Sequence, residues 1–393
     1  MEILDKDCYK QVDELLASNK LSWLFGAGIS VDAGIPLMGP LTLRIFTKAR
    51  EDGSSPTLRL LETIKSQLPG DCHIEHILSH IADYATIAER SKDKTIKITN
   101  DINLDHNTLV EIHSEILRWI AEIIRWGYVP QSDTTPEQVG SRGNSIVKID
   151  GHCAFINAIF NRTQAGIAAR RHAIKFFTTN YDTLLEDALS MGCLSYWDGF
   201  SGGAVAYRSY HYGDKEPEPG EYRAHVIKLH GSIDWHLGED DQIWRVRDGD
   251  LYPEKKSRVL IYPQATKYLA TQRDPFASQF DLFRRTLGLS SENVLAICGY
   301  SFGDEHINQE IELALRRSEN KTTILAFVPE LNDTLEHWRT LPWSKRLYII
   351  TASGIYSGVQ SPMRSQVGGQ PQDWWKFEGI TKLLSNGVEA CIL

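Results

Sequence analysis

The sequence predicts an α/β protein built on a Rossmann-like, doubly wound parallel sheet. Short, continuously apolar segments recur along the chain, for example LSWLF (21–25) and AIKFFTTN (173–180). Several of them lead into segments whose apolar residues have helical spacing, and two of these transitions pass through a glycine-containing turn. Strands that are apolar along their whole length are typical of a parallel sheet covered by helices on both faces.

Seven segments are predicted to be strands, and three helices are predicted directly after strands. The strands are residues 21–25, 173–180, 225–231, 258–263, 293–301, 322–329 and 345–351. The helices are LTLRIFTKARE (41–51), YDTLLEDALSMG (181–192) and DEHINQEIELALRRSEN (304–320). The alternation of the two element types predicts a sheet whose strands are joined by crossover helices.

The chain between the first two strand-helix units has a different character. Residues 56–171 contain long helical patterns and almost no strand signal, which predicts a large helical module inserted into the sheet domain. The predicted Rossmann domain is therefore discontinuous, comprising residues 1–55 and 172–350. Residues 351–393 are predicted to form a linker and a short helix, a candidate oligomer or partner contact. Residues 198–222 are predicted to form a loop or hairpin near the ligand-binding edge of the sheet.

Composition excludes several classes of function. The 393 residues carry a formal net charge of −9, which argues against sequence-independent binding to nucleic acid or anionic membrane by this chain alone. A local basic patch remains compatible with that charge. No signal peptide or long apolar run is evident, so a cytoplasmic location without membrane association is expected. The six cysteines are widely spaced without a CxxC pair, which disfavours disulfides and zinc knuckles.

The first candidate site is the stretch GAGISVDAGIP (26–36), which follows a predicted strand. Gly26 and Gly28 allow a tight turn with free amides, and such a turn before a helix suits a phosphate group. Ser30 and Asp32 could cap the helix or reach a ribose. The spacing is not GxGxxG, so a merely structural turn remains the alternative.

Three further stretches place polar residues at strand ends. In TTNYD (178–182), Asn180 and Asp182 lie where open sheets bind ligands, although a simple helix cap is the alternative. In LHG (229–231), His230 is a candidate general base, with a hydrogen bond to a neighbouring carbonyl as the alternative. The stretch ICGYSFGDEHIN (297–308) would supply the second half of a nucleotide crevice through Gly299, Ser301 and Asp304.

Taken together, these stretches resemble the sirtuin family. GAGIS and AGIP look like the dinucleotide-binding loop of sirtuins, and LHG looks like the segment with their catalytic histidine. TTNYD is similar to the family's Thr-Gln-Asn-Ile-Asp, with Thr179 and Tyr181 as the replacements. GYS (299–301) is similar to the Gly-Thr-Ser element that binds the adenosine side.

Three departures from the family indicate a particular branch, and one of them is the large helical insertion, which is foreign to the protein deacetylases. Leu37, Met38 and Gly39 stand where protein deacetylases have Asp-Phe-Arg, and no cysteine follows His230 before Cys298, so the zinc module is missing. This combination resembles the divergent sirtuin-like NADases of bacterial anti-phage defence systems. The resemblance implies NAD+ as the substrate, no metal, a homo-oligomer and a HerA-type hexameric ATPase as partner.

The resemblance also implies roles for individual residues. His230 would be the general base, Asn180 would position the water and the nicotinamide ribose, and Asp182 would hold the ribose or stabilise positive charge. The residues expected to bind NAD+ are Gly26, Ala27, Gly28, Ser30, Asp32, Pro36, Thr179, Gly299, Ser301 and Asp304. The products would be nicotinamide and ADP-ribose or its cyclic form. An NAD-dependent protein deacylase and a non-catalytic sensor of NAD+ or ADP-ribose are the alternatives.

Two other groups of residues are interpreted as structural, although each could also bind a ligand. One group could present metal ligands on one helix face, namely His73, Glu75, His76 and His80. The neighbouring apolar residues, Ile74, Ile77, Leu78 and Ile81, form the apolar stripe of that helix, so a metal site is disfavoured. The pair Trp374 and Trp375 could stack on a nucleotide base, but docking of the C-terminal helix is the favoured interpretation.

Overall fold

The computed structural model describes residues 6–51, 56–162, 172–208, 216–218, 220–238, 242–247, 255–260, 275–359 and 371–388. The α-helices in these ranges are α1 (Lys6–Leu16), α2 (Met38–Glu51), α3 (Pro56–Gln67), α4 (Ile74–Arg90), α5 (His106–Trp126), α6 (Asp150–Arg162), α7 (Leu184–Met191), α8 (Phe276–Leu287), α9 (Glu305–Leu315), α10 (Asp333–Arg339) and α11 (Phe377–Asn386).

The strands in the same ranges form four sheets. They are β1 (Leu21–Phe25), β2 (Thr95–Thr99), β3 (Ile102–Asp105), β4 (Tyr128–Val129), β5 (Gln138–Val139), β6 (Ile174–Thr178), β7 (Tyr196–Trp197), β8 (Phe200–Gly202), β9 (Val205–Arg208), β10 (Ala224–Lys228), β11 (Gly231–Gly238), β12 (Ile243–Val246), β13 (Lys255–Leu260), β14 (Asn293–Cys298), β15 (Thr322–Phe327), β16 (Leu347–Thr351) and β17 (Gly354–Ser357).

The largest sheet has eight strands in the order β17-β16-β15-β14-β1-β6-β10-β7. All neighbouring strands are parallel except the edge pair β16 and β17. From the centre, the chain order runs β1, β6, β10 to one side and β14, β15, β16 to the other. This arrangement confirms the predicted Rossmann-like, doubly wound α/β fold.

The order of strands reverses between β1 and β14, which creates a crevice at the carboxyl ends of the central strands. The register places Phe25 level with both Cys298 and Thr178, and Thr178 level with Lys228. Four strands therefore end at the same height. The loops that follow them, which contain the predicted site residues, are brought together by this register.

Buried residues alternate between the two faces of the sheet. Trp23 and Phe25 pack on one face with α6 and α11, whereas Leu24 packs on the other face with α8 and α9. The ring of Phe155 lies edge-on to Trp23, with 5.2 Å between ring centroids. Each face is thus closed by helices, which explains why the strands are apolar along their whole length.

The predicted helical module has a core of its own. Helices α2 to α5 bury a third cluster of side chains, which Tyr181 and Leu184 from the sheet domain join. Helix α6 lies within the range predicted for the module but packs against the sheet beside α11. The domain boundaries themselves remain a prediction.

Two sequence-based predictions of secondary structure are wrong in detail. The range 56–171 contains the antiparallel pairs β2–β3 and β4–β5, where almost no strand was predicted. The strand predicted at 258–263 begins earlier, as β13, and pairs antiparallel with β11 in a second sheet instead of joining the main sheet. An apolar run predicts a strand but not its partner, since only tertiary packing decides the pairing. Residues 261–263 lie outside the described residues.

The second sheet has the order β13-β11-β12-β9-β8. It includes the antiparallel hairpin β8–β9. This hairpin lies in the segment 198–222, which was predicted to form a loop or hairpin, and it confirms the hairpin for the described part of that segment. Residues 209–215 and 219 of that segment lie outside the described residues. At the C-terminus, α11 confirms the predicted helix, but β17 lies where a linker was predicted. Residues 360–370 of the predicted linker lie outside the described residues.

The buried histidine His225 on β10 predicts a loss of stability in mild acid. It is 5% exposed and packs edge-on against Trp197, with ring centroids 5.0 Å apart. Burial, followed by the charge of Lys175, lowers the pKa of His225 to about 4 from 6.5, against the opposing effect of Glu216. Between these pH values His225 binds a proton in the unfolded chain and stays neutral in the folded chain. The contribution of His225 to the free energy of unfolding should therefore fall by about 3 kcal/mol as pH drops from 6.5 to 4.

Urea unfolding at several pH values tests this expectation. The variant His225→Gln should lose less stability than the wild type over the same window. The variant His337→Gln, which replaces a histidine with a 56% exposed side chain, should behave like the wild type. Equal acid sensitivity in all three proteins would exclude His225 as the cause.

Candidate functional site

A cavity of about 840 Å³ opens at the carboxyl ends of the central strands. We call it the strand-end cavity. Its volume is within the range of small-molecule and cofactor sites. Every residue selected from the sequence lines it, namely Gly26, Ala27, Gly28, Ser30, Asp32, Pro36, Thr179, Asn180, Asp182, His230, Gly299, Ser301 and Asp304. The structure thus brings together the ends of four separate strand segments.

The glycines of the first loop are required by close packing between two loops. The amide of Gly26 donates to the carbonyl oxygen of Cys298 (3.1 Å), and that of Gly28 donates to Gly299 (2.9 Å). A Cβ atom on Gly26 would lie 2.5 Å from the Gly299 oxygen. The expectation that both glycines offer free amides to a phosphate is therefore wrong, because the neighbouring loop already accepts them.

The amide of Ala27 differs from those of its glycine neighbours. It lies at the start of a short 3₁₀ turn, Ala27–Ser30. Within the described part of the chain, it donates to no backbone carbonyl outside its own turn. Because Ala27 also lines the strand-end cavity, its amide is the donor in this loop best placed for a ligand.

Ser30, Asn180 and Asp182 form a buried hydrogen-bonded group. The Ser30 hydroxyl donates to Oδ2 of Asp182 (2.8 Å) and accepts from Nδ2 of Asn180 (3.3 Å). Oδ1 of Asp182 accepts the amide of Leu184 at the start of α7 (3.0 Å). The carboxylate therefore satisfies the first amide of the helix, as the structural alternative predicted, although the cap position itself is Thr183. It also orients Ser30 toward Asn180.

Asn180 has an unsatisfied acceptor. The residue is 7% exposed, yet its Oδ1 atom has no hydrogen-bond partner in the protein. Buried side-chain oxygens are nearly always hydrogen-bonded, so an unpaired one facing a cavity indicates a place for a ligand or a water molecule. Exchanging the oxygen and nitrogen assignments would still leave one terminal atom unpaired.

A buried ion pair that the sequence did not single out lies beneath this group. Nζ of Lys228, the last residue of β10, is 3.3 Å from Oε1 of Glu186 on α7 and also donates to the carbonyl oxygen of Asp182. Burial raises the pKa of Glu186, and the charge of Lys228 opposes that rise. The pair fixes the backbone of Asp182 from below.

His230 lies against a second histidine. Its Nε2 atom is 3.3 Å from Nε2 of His306, and the two rings stack at 5.3 Å. His306 is on the first turn of α9, two residues after the predicted residue Asp304. The ligand atoms of these three residues lie within 4.8 Å of one another, a grouping that could also hold a metal ion and that the sequence did not predict.

The helical module and the C-terminal segment complete the walls of the cavity. Glu75 accepts a hydrogen bond from the Tyr181 hydroxyl (2.7 Å), and His73 and His76 lie beside it at the start of α4. Trp374 is buried and donates to Thr351, as the docking interpretation predicted. The side chain that lines the cavity is instead its neighbour Trp375.

Residues 174–344 match the family model of the SIR2-like domain. The match covers less than half of the chain and begins at β6, so the first glycine loop lies outside it. It includes Asn180, Asp182, His230 and Gly299. No curated protein matches the chain.

The SIR2-like match agrees with the resemblance drawn from the motifs. A SIR2-like domain indicates an NAD-utilising enzyme in general terms. In the described residues the five cysteines are all free thiols, with none joined in a disulfide. The helices of the described ranges are also too short or too polar to cross a membrane.

Proposed function

We propose that this protein is an NAD+ hydrolase that cleaves NAD+ to nicotinamide and ADP-ribose. The observation that carries the proposal is the unpaired Oδ1 atom of Asn180, which is buried in the strand-end cavity of a SIR2-like fold. His230 lines the same cavity and supplies a group able to accept a proton.

The two loops at the reversal of strand order support a proposed position for NAD+. The Ala27 amide and the adjacent 3₁₀ turn would contact the pyrophosphate. Ser301 and Asp304 would bind the adenosine half, with Gly299 allowing the close approach of the loops. The nicotinamide ribose would then lie over Asn180 and near His230.

The chemistry requires little acid catalysis, because the nicotinamide of NAD+ is a cationic leaving group. The bond between ribose C1′ and the pyridine nitrogen breaks with its electron pair going to that nitrogen, which yields neutral nicotinamide. Water bonds to the oxocarbenium-like C1′ and loses its proton to His230. Hydrolysis of glycosides passes through a related transition state. Attack by a ribose hydroxyl in place of water, with loss of its proton to His230, would yield a cyclic form of ADP-ribose closed through a C1′–O bond.

The buried group around Asn180 would hold the water and the ribose in a fixed geometry. Ser30 and Asp182 orient the Asn180 amide, and the Lys228–Glu186 pair fixes the backbone below it. Such positioning can lower the activation barrier of the cleavage, because the water and the ribose have already lost their freedom of movement when they bind. The carboxylate of Asp182 also places negative charge near the developing cation.

Product analysis separates hydrolysis from protein deacylation. The protein is incubated with NAD+, alone and with an acetylated peptide, and the products are resolved by chromatography. We expect nicotinamide and ADP-ribose in equal amounts without the peptide, and no deacetylated peptide when it is present. Nicotinamide release that depends on the peptide would replace this proposal with a deacylase. Intact NAD+ in a saturable complex, even with the proposed ATPase partner present, would replace it with a sensor.

The biological setting is also part of the proposal. From the resemblance to sirtuin-like NADases we propose a homo-oligomer that depletes NAD+ in anti-phage defence together with a HerA-type hexameric ATPase. Co-purification of the tagged chain with the product of a neighbouring ATPase gene tests the partner. Activity assays should include the chain alone and the chain with that partner.

A further inference from the structure

We propose that a second cavity of this protein binds a small, phosphate-rich anion of about nucleotide size. The cavity has a volume of about 670 Å³ and lies where α2 and α5 meet the second sheet. We call it the basic cavity. It shares no lining residue with the strand-end cavity, so its ligand would be distinct from the proposed NAD+.

The lining has an excess of positive charge that the composition does not suggest. Six arginines and one lysine face the basic cavity, against a single carboxylate, that of Glu122. The chain as a whole has a net charge of −9. Cations from distant parts of an acidic sequence therefore converge on one concave surface, and such clefts concentrate anions.

Several of these cations are held in place by groups around the cavity. Arg247 pairs with Asp187 (2.6 Å) and Asp234 (3.5 Å), and Lys48 pairs with Glu122 (2.7 Å). Arg125 donates to the backbone oxygen of Arg247 (2.8 Å), an acceptor without formal charge. Guanidinium groups fixed in this way can bind phosphate without a large loss of side-chain entropy.

Arg44 provides a second, independent sign of a ligand. Its side chain is almost completely buried, and two of its nitrogens form hydrogen bonds to Glu51. The third nitrogen, Nε, is buried and has no hydrogen-bond partner in the protein. A buried guanidinium nitrogen without an acceptor is costly, and a phosphate oxygen in the basic cavity would remove that cost.

The size and the walls of the cavity favour a small ligand over a polymer. Trp126 and Tyr128 form part of the lining, so a planar base could lie against apolar surface beside the arginines. Among the lining residues, Arg118 and Arg142 are exposed at the rim. Arg118 pairs with Glu115 (3.6 Å). In the described residues Arg142 is exposed and takes part in no ion pair, so its charge faces solvent at the entrance.

Isothermal titration at low salt tests the proposal with inorganic tripolyphosphate and ATP as probes. Both should bind, and the double variant Arg118→Glu/Arg142→Glu should weaken tripolyphosphate binding at least tenfold. The control Arg316→Glu/Lys382→Glu makes the same change in net charge just after α9 and on the exposed face of α11, where each cation has a partner four residues away. It should change the affinity less than twofold.

The outcomes separate this proposal from the proposed NAD+ hydrolase. NAD+ binding and cleavage should be the same in both double variants and in the wild type, since neither pair lines the strand-end cavity. Absence of tripolyphosphate binding, or equal weakening in both double variants, would overturn the basic cavity as an anion site. Affinity for single-stranded DNA that rises with oligonucleotide length would replace the small ligand with nucleic acid.

Discussion

The variant His230→Ala should release nicotinamide from NAD+ at least about a hundredfold more slowly than the wild type. The loss is expected because the imidazole is the group in the strand-end cavity proposed to take the proton of the attacking water. The fold should survive, since the side chain lies at a strand end beside the cavity and not in either core of the sheet. Initial rates by chromatography, in whichever preparation the wild type is active, give the measurement.

Two further measurements show whether the loss of activity in His230→Ala is specific to the chemical step. His337→Ala, which removes a half-exposed histidine on α10, should keep the wild-type rate. Titration of NAD+ into the His230→Ala protein should show binding within a few-fold of the wild type, which separates loss of chemistry from loss of binding. Wild-type turnover in His230→Ala would remove this histidine from the mechanism.

The variant Gly299→Ala should lower the free energy of unfolding by about 3 kcal/mol or more and abolish NAD+ binding. Gly299 has φ of +65°, a backbone conformation that a residue with a Cβ atom rarely adopts. An added Cβ would also lie 2.5 Å from the backbone nitrogen of Ile29. The loops after β1 and β14 would have to separate, and their contact forms the floor of the strand-end cavity.

Chemical denaturation and NAD+ titration measure both effects of this substitution. Gly151→Ala is the matched control, because a Cβ at that position on α6 would meet no atom within 4 Å. It should leave both stability and binding close to those of the wild type. Unchanged stability in Gly299→Ala would show that the two loops do not pack as described.

The sequence predicts the main sheet well because its signals are local. An apolar run followed by a polar or glycine turn marks the end of a buried strand, and the chain carries such a mark at Phe25, Thr178, Lys228 and Cys298. Parallel strands that end in register bring the residues after these marks to one edge. A site whose parts each follow a strand is therefore visible before the structure is known.

The parts of the site that depend on contacts between distant segments were not predictable. His306 lies on an amphipathic helix, where its sequence context gives no sign that it contacts His230 across the cavity. Lys228 looks like an ordinary strand residue until α7 places Glu186 against it. The basic cavity is likewise assembled from α2, α5 and five strands, so the net charge of the whole chain concealed it.

The role of the first glycine loop changes most between sequence and structure. The sequence predicted that the amides of Gly26 and Gly28 would be open to a phosphate. Both amides instead bind the loop after β14, and the absence of side chains allows the two loops to approach. The glycines support the proposed NAD+ site by shaping the crevice, which leaves the Ala27 amide as the candidate donor.

A single-turnover experiment tests the central claim most directly. The protein, alone and with its candidate ATPase partner, is mixed in excess over NAD+, and nicotinamide and ADP-ribose are quantified over time. Our account predicts that all NAD+ is converted to equal amounts of the two products, or to nicotinamide and cyclic ADP-ribose. Quantitative recovery of intact NAD+ from both preparations would contradict it.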